Sequence, residues 1–121
     1  MEDKIYHLAT CDTNRKILAE VKPGKKVKKI NIKENNISEE DLDYVAEQLG
    51  GYEQVFSRKA QKYRTLGLHE KELSEQEIKK LILEEYTFLK RPVSIINGKV
   101  FAGYTKEMVE GLKAELHAKK K

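Results

Sequence analysis

Two short apolar runs flank a segment of helical periodicity at the start of this chain, and that order restricts the fold more than any other feature. Lys4 to Ala9 reads as a strand, after which Ile17, Leu18 and Val21 recur at helical spacing until Pro23-Gly24 ends the helix. Val27, Ile30 and Ile32 mark a second strand. The helix between them is long enough to be the crossover that parallel pairing requires. The opening therefore predicts a βαβ unit.

The middle of the chain reads as a helical block. Ser38 has the character of an N-cap, with Asp41 at the third helical position and Ile37 and Leu42 spaced as a hydrophobic staple. Leu42, Val45, Ala46 and Leu49 form one stripe, and Gly50-Gly51 stops the helix. A shorter helical segment is predicted from Glu53 to Tyr63, broken by Leu66-Gly67-Leu68. Ser74 and Glu77 form a capping box, with Leu73 and Ile78 as its staple. Beyond Arg91-Pro92, the runs Val93 to Ile96 and Lys99 to Ala102 enclose Asn97-Gly98, whose residues both tolerate positive φ, a strong hairpin signal. Thr105 caps a last helix whose Val109, Leu112 and Leu116 face inward. Gly111 within it costs about 1 kcal/mol relative to Ala and marks a close approach to the sheet. The whole is β-α-β, then helices, then β-β-α: an α/β chain with a mixed sheet, read as one domain over 1–121 with a helical insertion over roughly 37–90.

Cys11 is the single cysteine, so no intramolecular disulfide forms and a reducing compartment suits the thiol. It stands at the junction between the first strand and the first helix. The leading N–H groups of a helix lack partners and carry partial positive charge, which favours a thiolate placed there. Two readings follow, a nucleophile or a small buried hydrophobe. No apolar run approaches the ~20 residues that span a bilayer, and Met1-Glu2-Asp3-Lys4 lacks a signal-peptide pattern, so a cytoplasmic location with no membrane partner is expected. The net charge of +4 arises partly in the closing Lys119-Lys120-Lys121, read as a solvated end. No aromatic platform accompanies it, which argues against nucleic acid as a partner. His69 and His117 lack ligand-spaced neighbours, so no metal site is expected.

Three blocks carry a resemblance: Ile5-Tyr6-His7 with Cys11-Asp12-Thr13-Asn14-Arg15; Phe56-Ser57-Arg58-Lys59-Ala60 through Tyr63-Arg64-Thr65-Leu66-Gly67-Leu68; and Leu89-Lys90-Arg91-Pro92-Val93 with the hairpin and Gly103. In combination they resemble the glutaredoxin-dependent arsenate reductase and Spx-like family, the ArsC family. The resemblance implies a thioredoxin-like fold. It also implies that Cys11 attacks an oxyanion or a disulfide, that basic residues hold the oxyanion, and that glutathione or glutaredoxin acts as external reductant with no bound cofactor.

By position, Arg15 would support the thiolate and contact the oxyanion, and His7 would influence the ionisation of the cysteine. Arg91 would be an anion ligand before a cis proline, Pro92. A further basic ligand falls at Arg58 or Lys59, with the alternative that both belong to a solvated helix face. His7 has a core role as its alternative, and Arg91 that of covering the hairpin.

Two departures are visible. Asn14 stands where regulators and many relatives carry a second cysteine and arsenate reductases a serine, so a CxxC disulfide switch is impossible, although the amide can still donate to sulfur. The third arginine expected after the hairpin has no equivalent near Ala102-Gly103-Tyr104, which leaves the identity of the oxyanion open. Three functions follow: a single-cysteine thiol oxidoreductase, an Spx-like adaptor that binds RNA polymerase without turnover, or a relic of the fold without activity.

Overall fold

The computed structural model describes residues 2–117. Its elements are β1 (Lys4–His7), α1 (Asp12–Val21), β2 (Lys28–Asn31), α2 (Glu39–Leu49), α3 (Gln61–Thr65), α4 (Glu75–Glu84), β3 (Val93–Ile96), β4 (Lys99–Ala102) and α5 (Lys106–Leu116). Short 3-10 segments lie at Tyr52–Val55, Leu68–Glu70 and Tyr86–Phe88. The closing Lys119-Lys120-Lys121 run lies outside the described residues. The chain divides into two compact units, one made of the residues up to Asn35 and from Arg91 onward, the other of Asn36–Lys90.

The first unit holds the sheet, in the order β2-β1-β3-β4. β1 pairs parallel with β2 across the α1 crossover, and β1–β3 and β3–β4 are antiparallel. This mixed four-stranded sheet with its βαβ opening and ββα close is thioredoxin-like. Ile5 of β1 and Ile96 of β3 form one core with Ile17 and Val21 of α1 and Val109 and Leu112 of α5, so both helices cover the same sheet face. Ile5 and Val21 are fully buried, each worth about 1.5–3 kcal/mol. A Cβ added at Gly111 would lie 3.1 Å from the Phe101 ring on β4, which is the close approach that the mid-helix glycine implies. Asn97 (φ 53°) and Gly98 (φ 79°) make the hairpin turn with both residues at positive φ. Lys28 and Lys29 are exposed along edge strand β2, where charge discourages pairing with another sheet.

Two strand boundaries differ from the periodicity. β1 stops at His7 instead of Ala9, because the Leu8 and Ala9 N–H groups are bonded by the side chains of Asn14 and Asn31 in place of a strand neighbour. β2 runs from Lys28 to Asn31, so Val27 and Ile32 flank the strand and are buried beside it.

In the second unit the caps form as their residues dictate. Ser38 Oγ accepts the Asp41 N–H at 3.1 Å, and Ser74 and Glu77 close their reciprocal box at 3.2 and 2.8 Å. The predicted helix from Glu53 to Tyr63 is instead a 3-10 turn, an extended stretch and the short α3. Phe56 bridges Leu89, with Ser57 N–H donating to the Phe88 carbonyl at 2.7 Å and Lys90 N–H to that of Val55 at 2.8 Å. Those pairings use the backbone groups a helix would need. Among the described residues no helix is long and apolar enough to cross a membrane.

Candidate active site

Cys11 is the N-cap residue of α1, with extended backbone (φ −92°, ψ 119°) and no capping bond from its side chain. Its carbonyl accepts the Arg15 N–H at 3.0 Å, the first bond of the helix. The residue is half-buried, and the N–H groups of Asp12, Thr13 and Asn14 that follow it, as the first three of the helix, have no intrahelical partner.

Asn14 organises the turn that carries it. This side chain is fully buried, one helical turn after the cysteine, and its two ends do different work. Oδ1 accepts the Leu8 N–H at 2.9 Å, while Nδ2 donates to Cys11 Sγ at 3.6 Å. The Cys11 N–H closes the turn on the Leu8 carbonyl at 3.0 Å. Asn31, at the end of β2, accepts the Ala9 N–H at 3.2 Å and so fastens the next residue of the loop to the neighbouring strand. Sequence reasoning missed Asn31. Only the β1–β2 register, in which His7 lies opposite Asn31, would have revealed it.

Arg15 folds back over the same loop. Its Nη1 donates to the Ala9 carbonyl at 2.8 Å, and its other terminal nitrogen pairs with Asp12. With 57% of its side chain exposed, the guanidinium still presents a face to solvent. Asp12 partly neutralises the guanidinium it pairs with.

His7 is half-buried at the end of β1. Burial first, and then the Lys29 ammonium, lower its pKa from the ordinary 6.5, so the imidazole is neutral at pH 7. Among the described residues no hydrogen bond links it to Cys11. The imidazole therefore brings no positive charge to this end of the sheet at pH 7.

The Arg91-Pro92 bond is cis. Val93 pairs with Tyr6, so this dipeptide enters the sheet at the end of β1 from which the chain turns into Cys11. The Pro92 carbonyl accepts the Gly103 N–H at 2.9 Å, which brings the start of the β4–α5 connection to the same end. His7, Cys11, Asn14, Arg15, Arg91 and Pro92 thus belong to one unit and, by topology, to one end of its sheet.

Arg58 and Lys59 belong to the second unit. The Arg58 guanidinium lies 5.3 Å from the Phe56 ring centroid and 5.9 Å from that of Tyr63, and it pairs with Glu53 at 3.1 Å. Its contacts there are those of a side chain held on its own surface, whereas Lys59 is exposed.

The profile of the ArsC family matches residues 6–112. The chain is 33% identical over 104 residues to the uncharacterised protein YusI of Bacillus subtilis strain 168, covering 84% of this chain and 86% of YusI. It is similar in structure to an arsenate reductase from Vibrio cholerae, with a TM-score of 0.77 and 27% identity over 93% of this chain and 98% of the other. A provisionally assigned arsenate reductase from Yersinia pestis gives a TM-score of 0.76 at 26% identity, over 91% and 99% of the two chains.

Proposed function

Because the chain belongs to the ArsC family, we propose that it is a single-cysteine thiol oxidoreductase whose Cys11 thiolate attacks an arsenate-like oxyanion. The attack forms a sulfur–arsenic bond and expels one oxygen as water. A thiol from outside then attacks the Cys11 sulfur, forming a mixed disulfide while the electron pair of the sulfur–arsenic bond stays on arsenic, which leaves as arsenite. A second thiol, from glutathione or glutaredoxin, attacks the outer sulfur of that mixed disulfide, and the disulfide bond breaks to return Cys11 to the thiolate. Two thiols are oxidised and arsenic gains two electrons.

The observation that carries this reading is the sulfur itself, half-buried at the N-cap of α1 with the Asn14 amide donating to it at 3.6 Å. An amide donor stabilises negative charge on sulfur without competing as a second redox group. In this reading Arg15 and Arg91 bind the oxyanion, and His7 acts as a neutral neighbour. The test is arsenate reduction with glutathione and glutaredoxin by wild type and Cys11→Ser. Turnover by wild type that vanishes in the variant is expected; turnover that survives the substitution refutes the proposal.

A further inference from the structure

The Asn97-Gly98 turn joins β3 to β4 at the end of the sheet far from Cys11, since Val93 lies opposite Tyr6 and the strand runs away from there to Ile96. It is the chain's single Asn-Gly dipeptide. Asparagine is thermolabile, most of all before glycine, whose missing side chain leaves its backbone nitrogen open to the neighbouring amide carbon. Asn97 is exposed, so water reaches it.

Two carboxylates hold this asparagine. Its backbone N–H donates to Asp3 Oδ1 at 2.9 Å, and its side-chain Nδ2 donates to Glu115 Oε2 at 2.8 Å. Glu115 stands on the last turn of α5 with 17% of its side chain exposed, and its other oxygen takes the Lys99 ammonium at 3.1 Å. The amide nitrogen of Asn97 thus ties the tip of the hairpin to the end of the helix.

We propose that Asn97 is a site of deamidation, that Glu115 slows the reaction by holding the amide, and that the product releases the hairpin from α5. In the reaction the Gly98 nitrogen attacks Asn97 Cγ and gives its proton to solvent. The new carbon–nitrogen bond closes a cyclic imide, while the bond from Cγ to Nδ2 breaks with its electron pair on nitrogen, which takes up a proton and leaves as ammonia. Water then opens the imide at either carbonyl, giving aspartate or isoaspartate. Nothing is oxidised or reduced. Turning Cγ onto the Gly98 nitrogen breaks the Nδ2 bond to Glu115, so that bond protects the residue. Afterwards a carboxylate faces Glu115 where a donor stood, and like charges at hydrogen-bond distance repel.

Two measurements test this. In the first, folded wild type and Glu115→Ala are kept in mildly alkaline buffer, and the peptide carrying Asn97 is followed by mass spectrometry, with isoaspartate detected by enzymatic methyl transfer. Wild type should convert at Asn97 ahead of Asn14, Asn31, Asn35 and Asn36. Glu115→Ala should convert roughly tenfold faster, the change expected for loss of a charge-assisted hydrogen bond. No conversion at Asn97 in either protein overturns the site, and equal rates overturn the protection by Glu115.

In the second, Asn97→Asp stands for the product. Aspartate tolerates the left-handed backbone of the turn, so a loss of stability reports the charge. Urea unfolding should show a lower midpoint for Asn97→Asp, little change for Glu115→Gln, and recovery of most of the loss when the two are combined. Amide exchange should quicken at Lys99 and Glu115 in Asn97→Asp alone. A wild-type midpoint for Asn97→Asp, or a loss that Glu115→Gln leaves in place, overturns the release of the hairpin. None of these residues belongs to the cysteine site, so both results stand whether or not Cys11 is the nucleophile.

Discussion

Replacing Asn14 with alanine removes the buried side chain that joins the cysteine loop to its helix. The Leu8 N–H loses its acceptor at 2.9 Å in a place where Asn14 itself is fully buried. A buried donor left unpaired costs about 1–3 kcal/mol, and the space vacated by the amide adds roughly 1 more. The expected loss is therefore about 2–4 kcal/mol. For 121 residues, an unfolding entropy near 2.1 cal/mol/K per residue converts each kcal/mol into about 4 °C, so Tm should fall by roughly 8–16 °C.

The amide also donates to Cys11 Sγ at 3.6 Å, so the sulfur should respond separately from the fold. Asn14→Asp separates the two effects. It keeps an acceptor for the Leu8 N–H, at a helical position where negative charge is favourable, but places a carboxylate instead of an N–H donor against the sulfur. Urea unfolding and the rate of iodoacetamide alkylation under native conditions measure the two. Asn14→Ala should lose stability, while Asn14→Asp should retain more of it yet alkylate at least tenfold more slowly than wild type. An alanine variant within about 0.5 kcal/mol of wild type would refute the clamp, and an aspartate variant that alkylates at the wild-type rate would refute the link to sulfur.

Ser94 lies on β3 with its hydroxyl fully buried and without a hydrogen-bond partner among the described residues. Ser94→Ala should be neutral or raise stability by up to about 1 kcal/mol in urea unfolding, and a loss beyond that would mean the hydroxyl is satisfied in solution. His7 gives a pH dependence with a definite sign. Because its folded pKa lies below the ordinary 6.5, stability is complete above 6.5 and is lost as pH falls through the folded value, where the unfolded chain binds the proton first. Wild type should therefore lose stability relative to His7→Gln between pH 7.5 and the acid side of that window, and parallel curves would contradict the shift.

The elements that sequence revealed are those whose cause is local. Ser38, Ser74 and Thr105 cap their helices through bonds to residues three positions on, and Asn97-Gly98 sets its own turn. A cap or turn carries its reason within a few residues, so no knowledge of the rest of the chain is needed. The stretch from Glu53 to Tyr63 failed for the opposite reason. Its apolar spacing suits a helix, but Phe56 is taken by Leu89, a residue far along the chain. Tertiary pairing overrode a weak local preference.

The cysteine loop divides along the same line. Cys11 at the helix start and the Asn14 contact with its sulfur are an i,i+3 relation, readable from spacing alone. The hold of Asn31 on Ala9 is not, since it depends on parallel register between two strands separated by a helix. Nor does sequence reveal that Arg15 is shared between Ala9 and Asp12. Asn14 lends the loop its rigidity, and on the proposed chemistry a chain with one thiol must receive its resolving electrons from another molecule.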